Sequence, residues 1–253
     1  MAGHSKWANI KHRKEGADRR RGILYHKLTR EIMVAAKLGG SDPTSNNRLR
    51  IAVAKARAAN VAKDTIERAI KKGAGELEGQ TFEEVTYEAY AAGGVGIIVE
   101  AVTDKRTRTT PEIKSIINKH GGSLAEPNAV ACIFRRAGYI SVPRSAIQEE
   151  PLFELALDAG AEDIRTDDGE HFEIITLPEE FAAVSEAVSA KEIQTEESGV
   201  RYLPLDGTEV TVNDPDQART ALKLIEALEE HDDVQAVYTN LNISDEALVS
   251  LSE

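Results

Sequence analysis

The clearest chemistry in this chain belongs to cations. Lys6, Lys11, His12, Arg13, Lys14, Arg19, Arg20 and Arg21 crowd its first 21 residues, with one aromatic, Trp7, among them. Such clusters bind polyanions, because each neutralised phosphate releases condensed counterions. Residues 1–72 hold 18 Lys and Arg against 6 Asp and Glu, a net charge of +12. The remaining residues hold 13 against 37, a net charge of −24, so a basic head precedes an acidic body. A polyanion partner explains this asymmetry. Neutralisation of the body by the head, within one molecule or between copies, explains it as well. Trp7 and Tyr25 could stack on bases, and a Trp docking the basic arm onto the head is an equal alternative.

A second cationic cluster is Asp104-Lys105-Arg106-Thr107-Arg108-Thr109-Thr110. It follows an apolar strand pattern and precedes a helix pattern. Unpaired N–H groups, the helix dipole and three cations would converge there on a phosphate. The alternative is a solvated loop whose threonine caps the helix.

Residue types with catalytic or metal-binding potential form no constellation. The chain has no G-x-x-x-x-G-K-[ST], H-E-x-x-H, G-x-S-x-G or G-x-G-x-x-G. Gly93-Gly94-Val95-Gly96 suits a hairpin turn better than a nucleotide loop. Cys132 lies in the apolar run Val130-Ala131-Cys132-Ile133-Phe134 and is expected to be a buried, unreactive thiol on a strand. The histidines at 4, 12, 26, 120, 171 and 231 make no metal-ligand spacing. Asp167-Asp168 and Asp232-Asp233 read as solvated turn residues. The expectation is a non-enzyme with no catalytic residues, no metal and no cofactor.

The elements that must position the cations are helices. Asp18 to Leu38 carries Leu24, Leu28, Ile32 and Ala35 on one stripe, with Lys27, Arg30 and Lys37 elsewhere. A second helix is predicted from Asn47 to Ala59. Arg50 and Arg57 lie on one side of its apolar seam, Arg48 and Lys55 on the other. A third runs from Lys63 to Lys72, buries Ile66 and Ile70 and ends at Gly73, a natural residue for the helix terminus. No recognition helix with base-reading Asn or Gln is evident, so contacts to the nucleic-acid backbone are expected. Gly75 to Gln80 reads as a linker.

Strand patterns follow: Val85 to Ala89, Val95 to Val102 and Ala129 to Phe134, with a helix opened by Thr110-Pro111-Glu112. Residues 138–204 read β-α-β-β-α-β, the split βαβ or ferredoxin-like order. Glu209 to Val212 and Val234 to Tyr238 then flank a helix opened by Asp214-Pro215. Strands before and after residues 138–204 could share one sheet, which makes that segment an insertion. Hydrophobic content of 41% suits a globular protein, and no apolar run reaches the ~20 residues of a membrane span. Residues 1–9 lack the apolar core of a secretory signal, and one cysteine excludes a disulfide framework, so a cytoplasmic setting is expected.

Several words resemble the YebC family of probable transcriptional regulatory proteins, which includes mitochondrial translational activators. They are Met1-Ala-Gly-His-Ser-Lys-Trp-Ala-Asn-Ile-Lys-His-Arg-Lys14, Ile66-Glu-Arg-Ala-Ile-Lys-Lys-Gly73, Gly93-Gly-Val-Gly-Ile-Ile-Val-Glu100, Thr103-Asp-Lys-Arg-Thr-Arg-Thr109 and Lys119-His-Gly-Gly122. Ala62, Ala91-Ala92 and Cys132 depart from the family pattern, at positions that bear on turns and packing. The resemblance implies an α+β protein of three domains: a basic helical one and two ferredoxin-like α/β ones, the third inserted in the second. Expected boundaries are 1–75 for the head, 76–136 with 205–243 for the discontinuous domain, 137–204 for the insertion and 244–253 for a tail. The function implied is a DNA-binding regulator of transcription. A ribosome-associated RNA-binding translation factor, relieving stalls at proline-rich stretches, is the alternative. The partner is then DNA or ribosomal RNA, not a membrane, with the chain a monomer or weak dimer. Expected nucleic-acid contacts are Lys6, Trp7, Lys11, His12, Arg13, Lys14, Arg19, Arg20, Arg21, Lys27, Arg30, Arg50, Arg57, Lys105, Arg106 and Arg108.

Overall fold

The computed structural model describes residues 17–78, 81–166 and 169–252, without the side chains of 17–21 and 252. The expectations for the arm from Lys6 to Lys14 and for Asp167-Asp168 lie outside the described residues. The chain divides into two compact units. One comprises residues 17–129 with 216–237, the other 130–215 with 238–252.

The first unit begins with three helices, α1 (Ala17–Gly39), α2 (Asn47–Ala58) and α3 (Lys63–Gly73). All three lie where apolar periodicity places them. Ile32, Ala35, Leu49, Val53, Ala56 and Ile66 form the centre of their shared core. Leu24, at the start of the predicted stripe, is nevertheless exposed. Asn46 caps α2: its Oδ1 accepts from the Leu49 N–H at 3.0 Å, and its Nδ2 donates to the Ala35 and Gly40 carbonyls at 2.8 Å. One buried side chain thus satisfies both the end of α1 and the start of α2. Gly73 is the last helical residue rather than the residue beyond the helix. A Cβ there would stand 2.3 Å from the Met33 carbonyl oxygen, so the glycine lets α3 approach α1. The left-handed residue that ends the helix is Gly75, with φ +78°.

A four-stranded sheet follows in the order β3-β1-β2-β9, built from β1 (Glu83–Tyr90), β2 (Gly96–Thr103), β3 (Ser123–Leu124) and β9 (Val234–Thr239). β1 and β2 pair antiparallel, Glu83 opposite Thr103 and Tyr90 opposite Gly96. β1 buries alternate residues, Val85, Tyr87 and Ala89, whereas β2 is buried along nearly its whole length. Helix α4 (Arg106–Lys119) buries Ile113 and Ile117. Helix α7 (Pro215–Glu229) buries a continuous stripe from Ala218 to Leu228. Gly122 brings the end of α4 within reach of Leu224 on α7.

The second unit holds β4 (Phe134–Pro143), α5 (Glu149–Asp158), β5 (Asp163–Arg165), β6 (His171–Thr176), α6 (Phe181–Ala190) and β7 (Glu197–Pro204). Its sheet order is β5-β6-β4-β7 with every neighbour antiparallel, the ferredoxin-like arrangement. Leu152, Ala156, Phe181, Val184 and Val188 are the buried helix residues. On the central strand a Cβ at Gly138 would stand 2.1 Å from Thr176 Oγ1 and 2.7 Å from Phe181 Cβ, which is how closely α6 lies on the sheet. Tyr139, its neighbour on the strand, points to the other face and donates its hydroxyl to Glu173 at 2.8 Å. The last elements are β8 (Val210–Val212), β10 (Leu241–Ile243) and α8 (Asp245–Ser252).

Several expectations are corrected. No strand covers 129–134: Ala131–Ile133 is a short 3₁₀ turn that leads directly into β4, and the third strand beside β1 is Ser123–Leu124. Cys132 therefore sits on that turn and is exposed rather than buried. The boundary expected between 136 and 137 falls inside β4. The strand after the insertion does not join the large sheet, because β8 pairs in parallel with β10. The expected tail carries α8. Among the described residues no helix is long and apolar enough to cross a membrane.

Two outcomes follow from this packing. Gly138→Ala is expected to lower stability by about 1–3 kcal/mol in denaturant unfolding, because the side chains of Thr176 and Phe181 leave no room for a methyl group. Cys132 is expected to react with a thiol reagent in the native protein as readily as in the unfolded one; protection in the native state would contradict its exposure.

Candidate nucleic-acid interface

The helical head divides its cations between two directions. On α1, Lys27 Nζ donates to the Glu229 carbonyl at 2.8 Å, at the end of α7. One turn on, Arg30 donates to the Asp232 carbonyl and pairs with the Asp233 carboxylate at 3.0 Å. The Arg30 guanidinium also lies 5.6 Å from the centre of the Phe82 ring. Arg48, on α2, bridges Glu31 at 2.8 Å and Glu84 at 2.6 Å, joining α1, α2 and β1. Tyr25 is half-buried against the head core and lies 3.4 Å from the Asn60 carbonyl, so it supports the turn between α2 and α3. These side chains face the protein.

Asp233 is the centre of this arrangement. Its side chain is 3% exposed, in the turn between α7 and β9. Thr109 Oγ1 donates to it at 2.6 Å and the Arg108 guanidinium at 2.8 Å, while Arg30 approaches from the other side. Arg108 also reaches Asp104 at 3.0 Å. The Asp233 carbonyl accepts from the Val102 N–H at 2.7 Å, and its own N–H donates to His231 Nδ1 at 3.1 Å. The other ring nitrogen of His231 lies 3.2 Å from Glu112 Oε2. Burial alone would raise the Asp233 carboxyl. Hydrogen bonds from Thr109 and Arg108, with the charges of Arg30 and Arg108, outweigh it and hold the group below the ordinary aspartate value.

The Asp104–Thr110 cluster therefore differs from its expected form. Helix α4 starts at Arg106, so Arg106 and Arg108 lie in its first turn and Pro111 within the helix. No threonine caps it; the Thr103 hydroxyl instead accepts from the Lys105 N–H at 2.9 Å and lies 2.7 Å from Thr109 Oγ1. The anion held by Arg108 is the protein's own Asp233. Lys105 and Arg106 remain exposed. Asp233, expected as a solvated turn residue, is buried because three donors from α1 and α4 surround it, a convergence that local sequence does not display.

The other cations of the head point outward. Arg50 and Arg57 are exposed on α2, and Arg50 donates to Asn47 Oδ1 at 2.9 Å. On α3, Arg68, Lys71 and Lys72 are exposed opposite buried Ile66 and Ala69. The expected contacts do not include Arg68, Lys71 and Lys72; the position of the two lysines three and four residues after Arg68, on one exposed side of α3, is the available signal. Arg19, Arg20 and Arg21 belong to the first turns of α1, with side chains outside the described residues. The structure thus brings Arg30 and Arg108 together at Asp233, away from Arg50 and Arg57. No group of three or more His, Cys, Asp or Glu positioned to hold a metal ion occurs among the described residues.

Residues 5–76 match the model of the TACO1/YebC protein N-terminal domain, and residues 82–241 match that of the TACO1/YebC second and third domain. The chain belongs to the TACO1/YebC family. A family member from Leptospira biflexa named "Probable transcriptional regulatory protein" is 51% identical over 245 residues, covering 97% of this chain and 98% of its own. Another of that name from Chlorobaculum parvum is 48% identical over the full length of both chains. The crystal structure of a conserved hypothetical protein from Aquifex aeolicus superposes with a TM-score of 0.84 at 47% identity, covering 94% of this chain and 96% of that one. The TACO1/YebC division into an N-terminal domain and two further domains agrees with a helical head followed by two four-stranded sheets.

Asp233→Asn is expected to destabilise the protein by about 1–3 kcal/mol, since the largely buried Arg30 loses its counter-charge and Thr109 its charged acceptor, while Arg108 is exposed to water. Because the folded-state carboxyl is held low, its contribution is full above the ordinary aspartate range and is lost as pH falls through the lower folded value. The difference in melting temperature between the wild type and Asp233→Asn should therefore be largest at neutral pH and shrink on acidification. A constant difference across that range would show that the charge of Asp233 contributes nothing.

Proposed function

We propose that this chain is a cytoplasmic, non-enzymatic regulator of gene expression that binds nucleic acid through its basic head. The carrying observation is the outward set of cations on a three-helix core, Arg50, Arg57, Arg68, Lys71 and Lys72, in a chain whose remaining part is net −24. An acidic body repels a polyanion, so binding concentrates on the head and on the arm that precedes it. The names of its relatives as probable transcriptional regulatory proteins support a regulatory role.

The outward side chains favour backbone contact over base reading. Arg and Lys on separate helices straddle phosphates, while the exposed residues of α3 include no Asn or Gln to pair with a base edge. Duplex DNA and structured RNA both offer such phosphates. The DNA-binding reading makes the chain a transcriptional regulator; the RNA reading makes it a translation factor at the ribosome.

Titration of the full-length protein against a duplex DNA and a structured RNA of equal length, at several salt concentrations, tests the proposal. With about six phosphates neutralised, affinity should fall roughly 10³-fold between 50 and 200 mM salt. Tighter binding to DNA at every salt concentration supports the transcriptional reading, and tighter binding to RNA replaces it with the translational one. Weak, salt-insensitive binding to both would overturn nucleic-acid binding altogether.

A further inference from the structure

We infer that the phosphate-binding face of the head is the outer surface of the α2–turn–α3 pair, centred on Arg57, Arg68, Lys71 and Lys72, and that Lys27 and Arg30 of α1 take no part in it. The inference rests on the nucleic-acid-binding reading and locates its site. Neither Arg68, Lys71 nor Lys72 belongs to the set that sequence patterns single out.

Three observations carry it. The first is the direction of the cations. Lys27, Arg30 and Arg48 are drawn onto carbonyls and carboxylates of the same unit. Arg57, Arg68, Lys71 and Lys72 are exposed, and no carboxylate among the described residues forms a salt bridge with them. Nucleic acid reaching Arg30 would have to displace Asp233, a buried carboxylate held by three donors. The outer face requires no such exchange.

The second is that helix electrostatics do not account for α2. Cations are favoured near a helix C-terminus and disfavoured near the N-terminus. Yet α2 carries Arg48 and Arg50 at its start as well as Lys55 and Arg57 at its end, and no acid at all. From Asn47 to Gly73 there are eight basic residues and two acidic ones. One of those acids, Glu67, lies 3.8 Å from Lys63 at the start of α3, leaving the later part of that helix wholly cationic. Arg48 is explained by Glu31 and Glu84. Helix α2 therefore adds cations but no acid to the exposed surface that it shares with α3.

The third is shape. The helices are joined by Ala59 to Ala62, a turn of the length found in DNA-binding helix-turn-helix pairs. The Val61 N–H donates to the Ala56 carbonyl at 2.9 Å, Asn60 takes the left-handed conformation at φ 61°, and the Val61 side chain drops into the head core. This closes α2 and sets the start of α3 without a polar cap, since Ala62 precedes α3 with no side-chain hydrogen bond. Exposed Ala54 and Ala58 lie along the Arg50–Arg57 side of α2. Their short side chains let a sugar-phosphate backbone come close enough for the flanking guanidinium groups to reach phosphates on either side. With cations dominating and no Asn or Gln on α3, this face should bind without strong sequence preference.

The test uses full-length protein and one 20-base-pair duplex, titrated from 50 to 200 mM salt. The variant carries Arg57→Ala, Arg68→Ala and Lys71→Ala. Alanine is favourable in helices, so the head should keep its fold, and melting temperature checks this directly. A charge-matched control carries Lys114→Ala, Lys191→Ala and Lys223→Ala, three exposed lysines of the body. Loss of three phosphate contacts should flatten the slope of log affinity against log salt by about 2–3 units, and weaken binding at least about tenfold at 50 mM. The control should keep the wild-type slope, as should Arg57→Lys with Arg68→Lys, which retains the charge. If the wild type binds with a steep slope and the alanine variant matches the control, the face is wrong while nucleic-acid binding stands. If the wild type shows no salt-dependent binding to this duplex or to a structured RNA of similar length titrated in parallel, the nucleic-acid reading and this site fall together.

Discussion

A buried carboxylate holds the helical head to the sheet that follows it. Asp233 is taken out of water at the turn between α7 and β9, and that is tolerable only because Thr109, Arg108 and Arg30 surround it. Those partners come from α4 and from α1, more than a hundred residues earlier in the chain. Its backbone is engaged too, pairing with Val102 on β2 and with the ring of His231. One residue thereby fixes the edge of the sheet, the first turn of α4 and the position of the first helix of the head. Lys27 on the Glu229 carbonyl and Arg48 between Glu31 and Glu84 extend the same join along α1 and onto α2.

This join gives the charge asymmetry two roles. Part of the positive head neutralises part of the negative body, and does so with α1 and the start of α2. Among the described residues, Arg57, Arg68, Lys71 and Lys72 are exposed on α2 and α3. Internal neutralisation and an outward cationic surface, which look like competing explanations in the sequence, occupy different faces of the same three helices. The geometric cause is the helical period: Lys27 and Arg30, one turn apart, share a side of α1, while Arg57 flanks the buried seam of α2 and Arg68 and Lys71 lie away from that of α3.

Much of the architecture was legible. Apolar spacing located α1, α2 and α3 to within a residue or two, because each helix buries a stripe against the other two. The β-α-β-β-α-β order over 138–204 identified the ferredoxin-like unit, since short strand-like runs alternate there with helix-length apolar stripes. Errors arose where a short apolar run had two possible fates. Val130 to Phe134 has the composition of a buried strand, yet only Phe134 pairs; the three residues before it turn, and Cys132 is left exposed. Gly73 was recognised as special for a reason belonging to Gly75: it is required by the closeness of the Met33 carbonyl, which is a property of the packed pair of helices.

Local composition determined the basic head, the acidic body, the helix stripes and the absence of familiar catalytic motifs, because these depend on residue type and on neighbours a few positions away. Tertiary structure alone decided which cations are available. Arg30 and Arg57 are equally basic in sequence. They differ only in whether a carboxylate some two hundred residues away has been brought within 3.0 Å, as Asp233 has for Arg30. The same holds for Asp233, where a pair of adjacent aspartates reads as a wet turn until α1 and α4 close over one of them. Burial and long-range pairing set the energy of a charge, and neither is encoded in the spacing of the residues around it.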